Sequence, residues 1–251
     1  MKKIAIAIIL FTIGGNLKAQ DHTQSLQGIS KVKITSDPNI IIKAHDKNEI
    51  LIKSNGRKAP EKAKGLKAVY SGGSDNTGLG VYVAKEGDVL IVRNLRGMHG
   101  PKLEIYVSKN ADIHAENTKI GNVYISGFSS EIEVKTNVGS IDIEEVGGPI
   151  VAKSSTGGIN VNFGKVNQAS PISITSSTGD VDVSLPANTP ANLKLKSSMG
   201  EIYTDFELKL AVDDKNMKVV GGRKSISTMI NNGGVDISLR SSVGNIYLRK
   251  K

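Results

Sequence analysis

The sequence predicts an all-β fold, a parallel β-solenoid (β-helix) with a less regular β region on its N-terminal side. Three observations predict it. A glycine-centred corner motif recurs in the second half of the chain at a period near twenty residues. Apolar and polar residues alternate on both sides of each corner, as in strands with one buried face. Outside the N-terminal leader, no segment reads as a helix of ordinary length.

The motif is Ser-Ser-x-Gly-x-hydrophobic-x-hydrophobic. It occupies residues 135–143, 153–161, 175–183, 196–204 and 240–248, with a weaker copy at 117–125. Its glycines are Gly121, Gly139, Gly157, Gly179, Gly200 and Gly244, spaced by 18, 18, 22, 21 and 44 residues. The last gap spans about two periods, so one divergent coil is expected inside it. After each glycine, Ile141/Ile143, Ile159/Val161, Val181/Val183 and Ile246/Leu248 should point inward. Before it, Ile132/Val134, Ile172/Ile174, Leu193/Leu195 and Ile237/Leu239 form a second alternating strand. The glycine then marks a bend, where it takes a positive φ without a Cβ clash. Ser, Thr and Asn just ahead of it can bond backbone groups at the corner.

One coil cannot bury its apolar face alone. Stacked coils pair as parallel strands about 4.8 Å apart, and their aliphatic residues form inner ladders. Roughly eleven coils would make a rod about 50 Å long at that spacing. An antiparallel sandwich or barrel also has regular strands and turns, but it does not require the corner itself to repeat.

Residues 20–112 are less regular. Short strands are expected around Val32, Ile40, Ile50, Val81, Val89 and Leu103. They are expected to form hairpins or capping coils ahead of the regular repeats at 113–251. Residues 57–67 are lysine-rich and read as a loop or short helix. Solenoid ends expose unpaired strand edges, and the terminal Arg249-Lys250-Lys251 is expected to guard one of them, membrane-surface contact being the other reading.

Residues 1–19 read as a secretory leader. Lys2 and Lys3 precede an apolar run at 4–13, and Ala19 supplies a small residue for cleavage. The run is shorter than the ~20 residues a membrane helix needs. The chain has no cysteine, which excludes disulfides, thiolate metal sites, cysteine nucleophiles and a lipidated cysteine at the cut. The expected location is the periplasm, the outer-membrane surface or the extracellular space. The formal charge is +9, three of it in the leader. An excess of this size favours solubility or contact with anionic surfaces such as acidic glycans. Few aromatics and no nucleic-acid signature argue against DNA or RNA as partner.

The repeated Ser-Ser-x-Gly block, the turn at Asn231-Asn232-Gly233-Gly234 and the leader together resemble the DUF4097-type adhesin family, related to the head GIN domain (DUF2807) auto-transporter adhesins. The likeness is best over 113–251. It implies a β-helix, export and a surface role, and it brings no catalytic residues. It also leaves room for an envelope-stress regulatory component.

β-Helices include polysaccharide lyases and hydrolases, so carboxylates need scrutiny. Three positions after the corner glycine stand Tyr124, Asp142, Asn160, Asp182, Tyr203 and Tyr247; directly after it stand Asn122, Ser140, Gly158, Asp180, Glu201 and Asn245. Asp180, Asp182 and Glu201 would lie close, and paired carboxylates serve glycoside hydrolysis. Their period is that of the repeat, so the simpler reading is outward polar positions. Residues 178–183 share only a Gly-x-x-Asp spacing with calcium-binding β-rolls. His114 and Glu116 share a strand face but lack further ligands for a metal. No nucleophile elbow, phosphate loop or dinucleotide fingerprint appears in a fitting context. No catalytic residue, metal or cofactor is therefore expected. Tyr124, Tyr203 and Tyr247 are the binding candidates, since an outward tyrosine offers apolar area and a hydroxyl; ordinary cross-strand stacking is the alternative. The expected function is a non-catalytic adhesin or envelope-interaction protein meeting a surface glycan or envelope protein, with a carbohydrate-active enzyme as the alternative.

Overall fold

The computed structural model describes residues 21–54, 61–63, 65–66, 68–100, 102–208 and 224–251. The expected leader lies outside them. Of the lysine-rich stretch 57–67, a 3-10 turn at Glu61–Ala63 is described. Four strands come first among the described residues: β1 (Asp21–Ser25), β2 (Lys31–Ser36), β3 (Ile40–His45) and β4 (Glu49–Ser54). Next come the two-residue β5 (Val69–Tyr70) and β6 (Gly73–Ser74), then β7 (Val81–Glu86), β8 (Val89–Asn94) and β9 (Leu103–Ser108). The regular part holds β10 (Asp112–Ile120), β11 (Val123–Ser126), β12 (Ile132–Val138), β13 (Ile141–Val146), β14 (Ile150–Thr156), β15 (Ile159–Phe163), β16 (Ile172–Thr178) and β17 (Val181–Leu185). The C-terminal part holds β18 (Ala191–Ser197), β19 (Ile202–Thr204), β20 (Lys224–Ile230), β21 (Val235–Val243) and β22 (Ile246–Lys250).

Two ten-stranded sheets account for all but β5 and β6. Sheet I runs β1-β4-β9-β3-β11-β13-β15-β17-β22-β19, and sheet II runs β7-β8-β2-β10-β12-β14-β16-β21-β18-β20. From β10 to β17 the chain alternates between the sheets, and each strand pairs in parallel with the strand two later. The fold is all-β, parallel-rich and solenoid-like. Eight two-strand levels stack in it, fewer than the eleven or so expected from length, because β1, β4, β7 and β20 pair antiparallel at the ends.

Strand alternation builds the core. Ile141, Ile159, Val181 and Ile246 stand in register and are fully buried. Ile132, Ile150, Ile172 and Ile237 do the same on sheet II. Burying each aliphatic side chain contributes about 1.5–3 kcal/mol. Phe128 and Phe163 fill the space beside these ladders.

Levels are not stacked in sequence order. The β2/β3 level sits between β8/β9 and β10/β11, and the last level, β21/β22, sits between β16/β17 and β18/β19. This corrects two expectations. The 44-residue gap was expected to hide a coil; its residues 209–223 lie outside the described ones, and its described strand β20 runs antiparallel to β18 at the sheet edge, not as a parallel coil strand. The chain then arcs over the start of β18 through Asn231, Asn232 and Gly233, all at positive φ. Asn231 Nδ2 donates to the Ala187 and Thr189 carbonyls, and Asn192 Nδ2 donates to the Gly234 carbonyl, fixing that arc. Second, the basic tail does not stand at the end of the stack: β22 lies between β17 and β19, its pairing with β19 stopping at Leu248 while Arg249 and Lys250 pair with β17. Its charges act laterally, Arg249 on Asp182 and Lys251 on Glu145.

Candidate functional site

The corner explains the motif. The first hydroxyl of each Ser-Ser or Thr-Asn pair points inward, forming a buried polar column Ser36, Asn117, Thr136, Ser154, Ser176, Ser241, Ser197 in register across sheet II. Ser176 Oγ donates to the Gly157 carbonyl at 3.0 Å, Ser241 Oγ to Gly179 at 2.9 Å and Ser197 Oγ to Gly244 at 2.9 Å. From Gly139 onward each corner glycine nests on the carbonyl of the glycine one level away, while Gly121 packs on the backbone of Pro38 and Asn39. A Cβ at Gly139, Gly157, Gly179, Gly244 or Gly200 would come within 3.0 Å of that neighbour's backbone. Gly157 also sits at φ +138, a conformation L side chains resist. The residue after the glycine links levels again. Asn122 Oδ1 accepts from the Ser140 amide at 2.9 Å, Asp180 Oδ1 from Asn245 at 2.7 Å and Asn245 Oδ1 from Glu201 at 2.9 Å.

The sheet I outer column runs Glu104, Ile41, Tyr124, Asp142, Asn160, Asp182, Tyr247, Tyr203. Tyr203 and Tyr247 stack with ring centroids 5.3 Å apart and planes 12° from parallel. Arg249 lies over the Tyr247 ring at 5.2 Å. Tyr124 is four strands away, about 19 Å at the usual spacing, and donates to Glu144 at 2.7 Å. Of the three candidate tyrosines the fold therefore brings two together. The bond to Glu144 raises the Tyr124 hydroxyl's pKa, because the ionised phenol would face a carboxylate.

The carboxylates are separated in the same way. Asp182 is gripped bidentately by Arg249, with two contacts of 2.8 Å. Asp142 accepts from Asn160 at 2.7 Å and Ser140 at 3.0 Å. Glu201 lies two levels from Asp180 with Asn245 between them, so the expected Asp180–Glu201 proximity is broken by the interleaved last level. At the other end, Lys43 and Tyr106 both donate to Glu104, at 2.6 and 2.8 Å, and hold its carboxyl below its ordinary value. His114 contacts Glu133 at 2.8 Å across the strand pair, which lowers the Glu133 carboxyl, while Glu116 faces Lys135 at 3.6 Å. Among the described residues no group of three or more His, Asp or Glu side chains could hold a metal ion, and no helix is long and apolar enough to cross a membrane.

A second outward ladder escaped the motif reading. The lead position of the repeat block places Lys135, Lys153, Thr175, Arg240 and Lys196 in one column on sheet II. The alignment of the repeats already held this signal: four of the five lead residues are basic.

These features define a parallel-rich, solenoid-like β protein whose outer surface is a set of polar ladders, with the stacked Tyr203–Tyr247 pair toward one end. The family model Toastrack DUF4097 matches residues 15–249, and the chain belongs to that family. Two crystal structures align with the chain over most of its length. One is a "putative cell adhesion protein" from Clostridium sporogenes ATCC 15579, 11% identical, covering 93% of this chain and 100% of its own, with a TM-score of 0.47. The other is a "putative adhesin" from Bacteroides fragilis NCTC 9343, 12% identical, covering 92% and 96%, with a TM-score of 0.29. No curated protein matches the chain.

Proposed function

We propose that this chain is an exported, non-catalytic β-solenoid, a β-helix whose outer faces serve adhesion or interaction at the cell envelope. The engagement of its outward carboxylates carries the reading. Asp182 is clamped by Arg249, Asp142 takes Asn160 and Ser140, and Asp180 caps the Asn245 amide. A general acid or base must exchange its proton with a substrate, and these groups are committed to bonds along the stack. What is left outward is a long polar surface with the Tyr203–Tyr247 pair near one end. The half-exposed Tyr203 ring gives a glycan or protein both apolar area and a hydroxyl. The leader-like residues 1–19 support export.

Fractionation of the producing cell, with protease added to intact cells, tests the location; recovery of the intact chain only in the cytoplasm would overturn export. Purified protein should bind isolated envelopes, and Y203A/Y247A should weaken that binding several-fold. Turnover of a polysaccharide that disappears in Asp182→Ala or Asp180→Ala would replace this reading with a carbohydrate-active enzyme.

A further inference from the structure

The outer face of sheet II carries a concentrated, unpaired positive charge. On β14, β16, β21 and β18 the outward positions hold Lys153, Arg240, Lys194 and Lys196, all exposed. Among the described residues none of these four is in an ion pair, although Lys153 feels Glu133 on the adjacent β12; Lys135, at the head of the same column, is paired with Glu116, and Lys43 and Arg249 on sheet I are paired too. The one carboxylate outward on these strands is Asp236, which accepts from Asn192 at 3.0 Å. Between the cations stand the half-buried hydroxyls of Ser173, Thr175 and Ser238. A shallow groove of about 330 Å³ crosses this area, lined by Pro171, Thr175, Lys194, Asp236, Ser238 and Arg240.

We propose that this face binds a linear acidic polysaccharide, carboxylated or sulfated, laid along the stacking axis. Two features select that partner. Cations recur at intervals of one or two strand spacings, about 5 to 10 Å, which is the scale on which charge repeats along an extended chain of pyranose sugars. The hydroxyls between them supply hydrogen bonds to sugar oxygens. Among the described residues, β14, β16, β21 and β18 carry no aromatic residue to stack a nucleobase, and Tyr82, outward on β7 at the far end of the sheet, lies under Arg93. No apolar stripe crosses these cations to enter a bilayer: among the described residues of sheet II the exposed large apolar side chains Ile120, Val138 and Val243 stand at the corner and Met229 on the outermost strand. The inference deepens the envelope-interaction reading by naming a partner class, and it rests on that reading only for where the partner is met.

The test titrates the purified full-length chain with polygalacturonate, dextran sulfate, neutral dextran and phosphatidylcholine–phosphatidylglycerol vesicles. The two polyanions should bind and dextran should not. Binding should weaken at least tenfold from about 0.1 M to about 1 M salt, as screening shortens from about 10 to about 3 Å. K153E/K196E/R240E should weaken polyanion binding at least tenfold. K47E/K85E/K165E makes the same change in net charge elsewhere and should weaken it less than twofold. If the triple reversal fails to fold, K153Q/K196Q/R240Q replaces it, with at least a fivefold loss expected. Equal losses in the two triples would overturn the proposal, as would polyanions that do not bind. Binding of vesicles without polysaccharide, or self-association that the face variant abolishes in place of polyanion binding, would overturn it too. Envelope binding retained by a variant whose polyanion binding was also unchanged would sink this face and leave the broader reading standing.

Discussion

At the residue scale, the corner glycines are held to their identity by neighbours one level away. Gly157→Ala should destabilise by about 3 kcal/mol or more, since it combines a backbone clash with an unfavourable φ. Gly158→Ala is the control. Its Cβ would meet the Asp180 carbonyl at 3.4 Å, an ordinary contact, and no left-handed φ is imposed there. Thermal melts followed by circular dichroism would separate the two. The paired serines make a second contrast. Ser176→Ala leaves the half-buried Gly157 carbonyl short of a donor and should cost about 1–2 kcal/mol, whereas Ser177→Ala alters an exposed side chain and should stay within about 0.5 kcal/mol. Acid sensitivity belongs to this scale as well. Lys43 and Tyr106 depress the Glu104 carboxyl below 4.5, and His114 depresses that of Glu133. A depressed carboxyl stabilises the fold fully above its unfolded value, and that contribution is lost as pH falls through the folded value. The melting temperature of the native chain should therefore exceed that of Glu104→Gln at neutral pH, with the gap closing below about pH 4.5.

At the element scale, the repeat was legible because each corner writes the same chemistry into the chain. Buried hydroxyl, glycine and two inward aliphatics recur at the β12–β13, β14–β15, β16–β17 and β21–β22 corners, so periodicity alone located β12 to β17 and the corner between β21 and β22. The order of the last levels was not legible. Residues 196–204 and 240–248 both carry the Ser-Ser-x-Gly corner and differ chiefly at the last motif position, exposed Thr204 against buried Leu248, so the corner alone does not say which glycine stands beside Gly179. What decides between them is the arc at Asn231–Gly233 and the antiparallel β20, whose alternation looks the same in either direction. The consequence can be measured. β22, although C-terminal, is paired on both sides, and β19 and β20 are edge strands. Hydrogen exchange should be slower in β21 and β22 than in β19 and β20. Leu239→Ala should cost about 2–5 kcal/mol, as much as Ile174→Ala in the middle of the stack, because both residues are fully buried and in register.

At the scale of the whole molecule, stacking converts sequence repeats into faces. Outward residues scattered over more than a hundred positions become columns one strand spacing apart, and each column acquires its own character. One carries carboxylates and amides bonded along the stack, and another carries the unpaired cations of sheet II. The candidate tyrosines illustrate what sequence spacing misses. Tyr203 and Tyr247 are 44 residues apart yet stack, while Tyr124 shares their column but sits four strands off. Their relation depends on the order of levels, which also places Asn245 between Asp180 and Glu201.

That order can be read from disulfide trapping, since the chain has no cysteine to interfere. Thr178 and Val243 are direct cross-strand partners at the exposed corner, and Met199 belongs to the level beyond. In-register parallel neighbours about 4.8 Å apart lie within disulfide reach, and groups two levels apart do not. T178C/V243C should oxidise rapidly to an intramolecular disulfide, while T178C/M199C should stay reduced. Fast crosslinking of 178 to 199, with 178 and 243 remaining free, would mean that the levels follow sequence order and would contradict the interleaved stack.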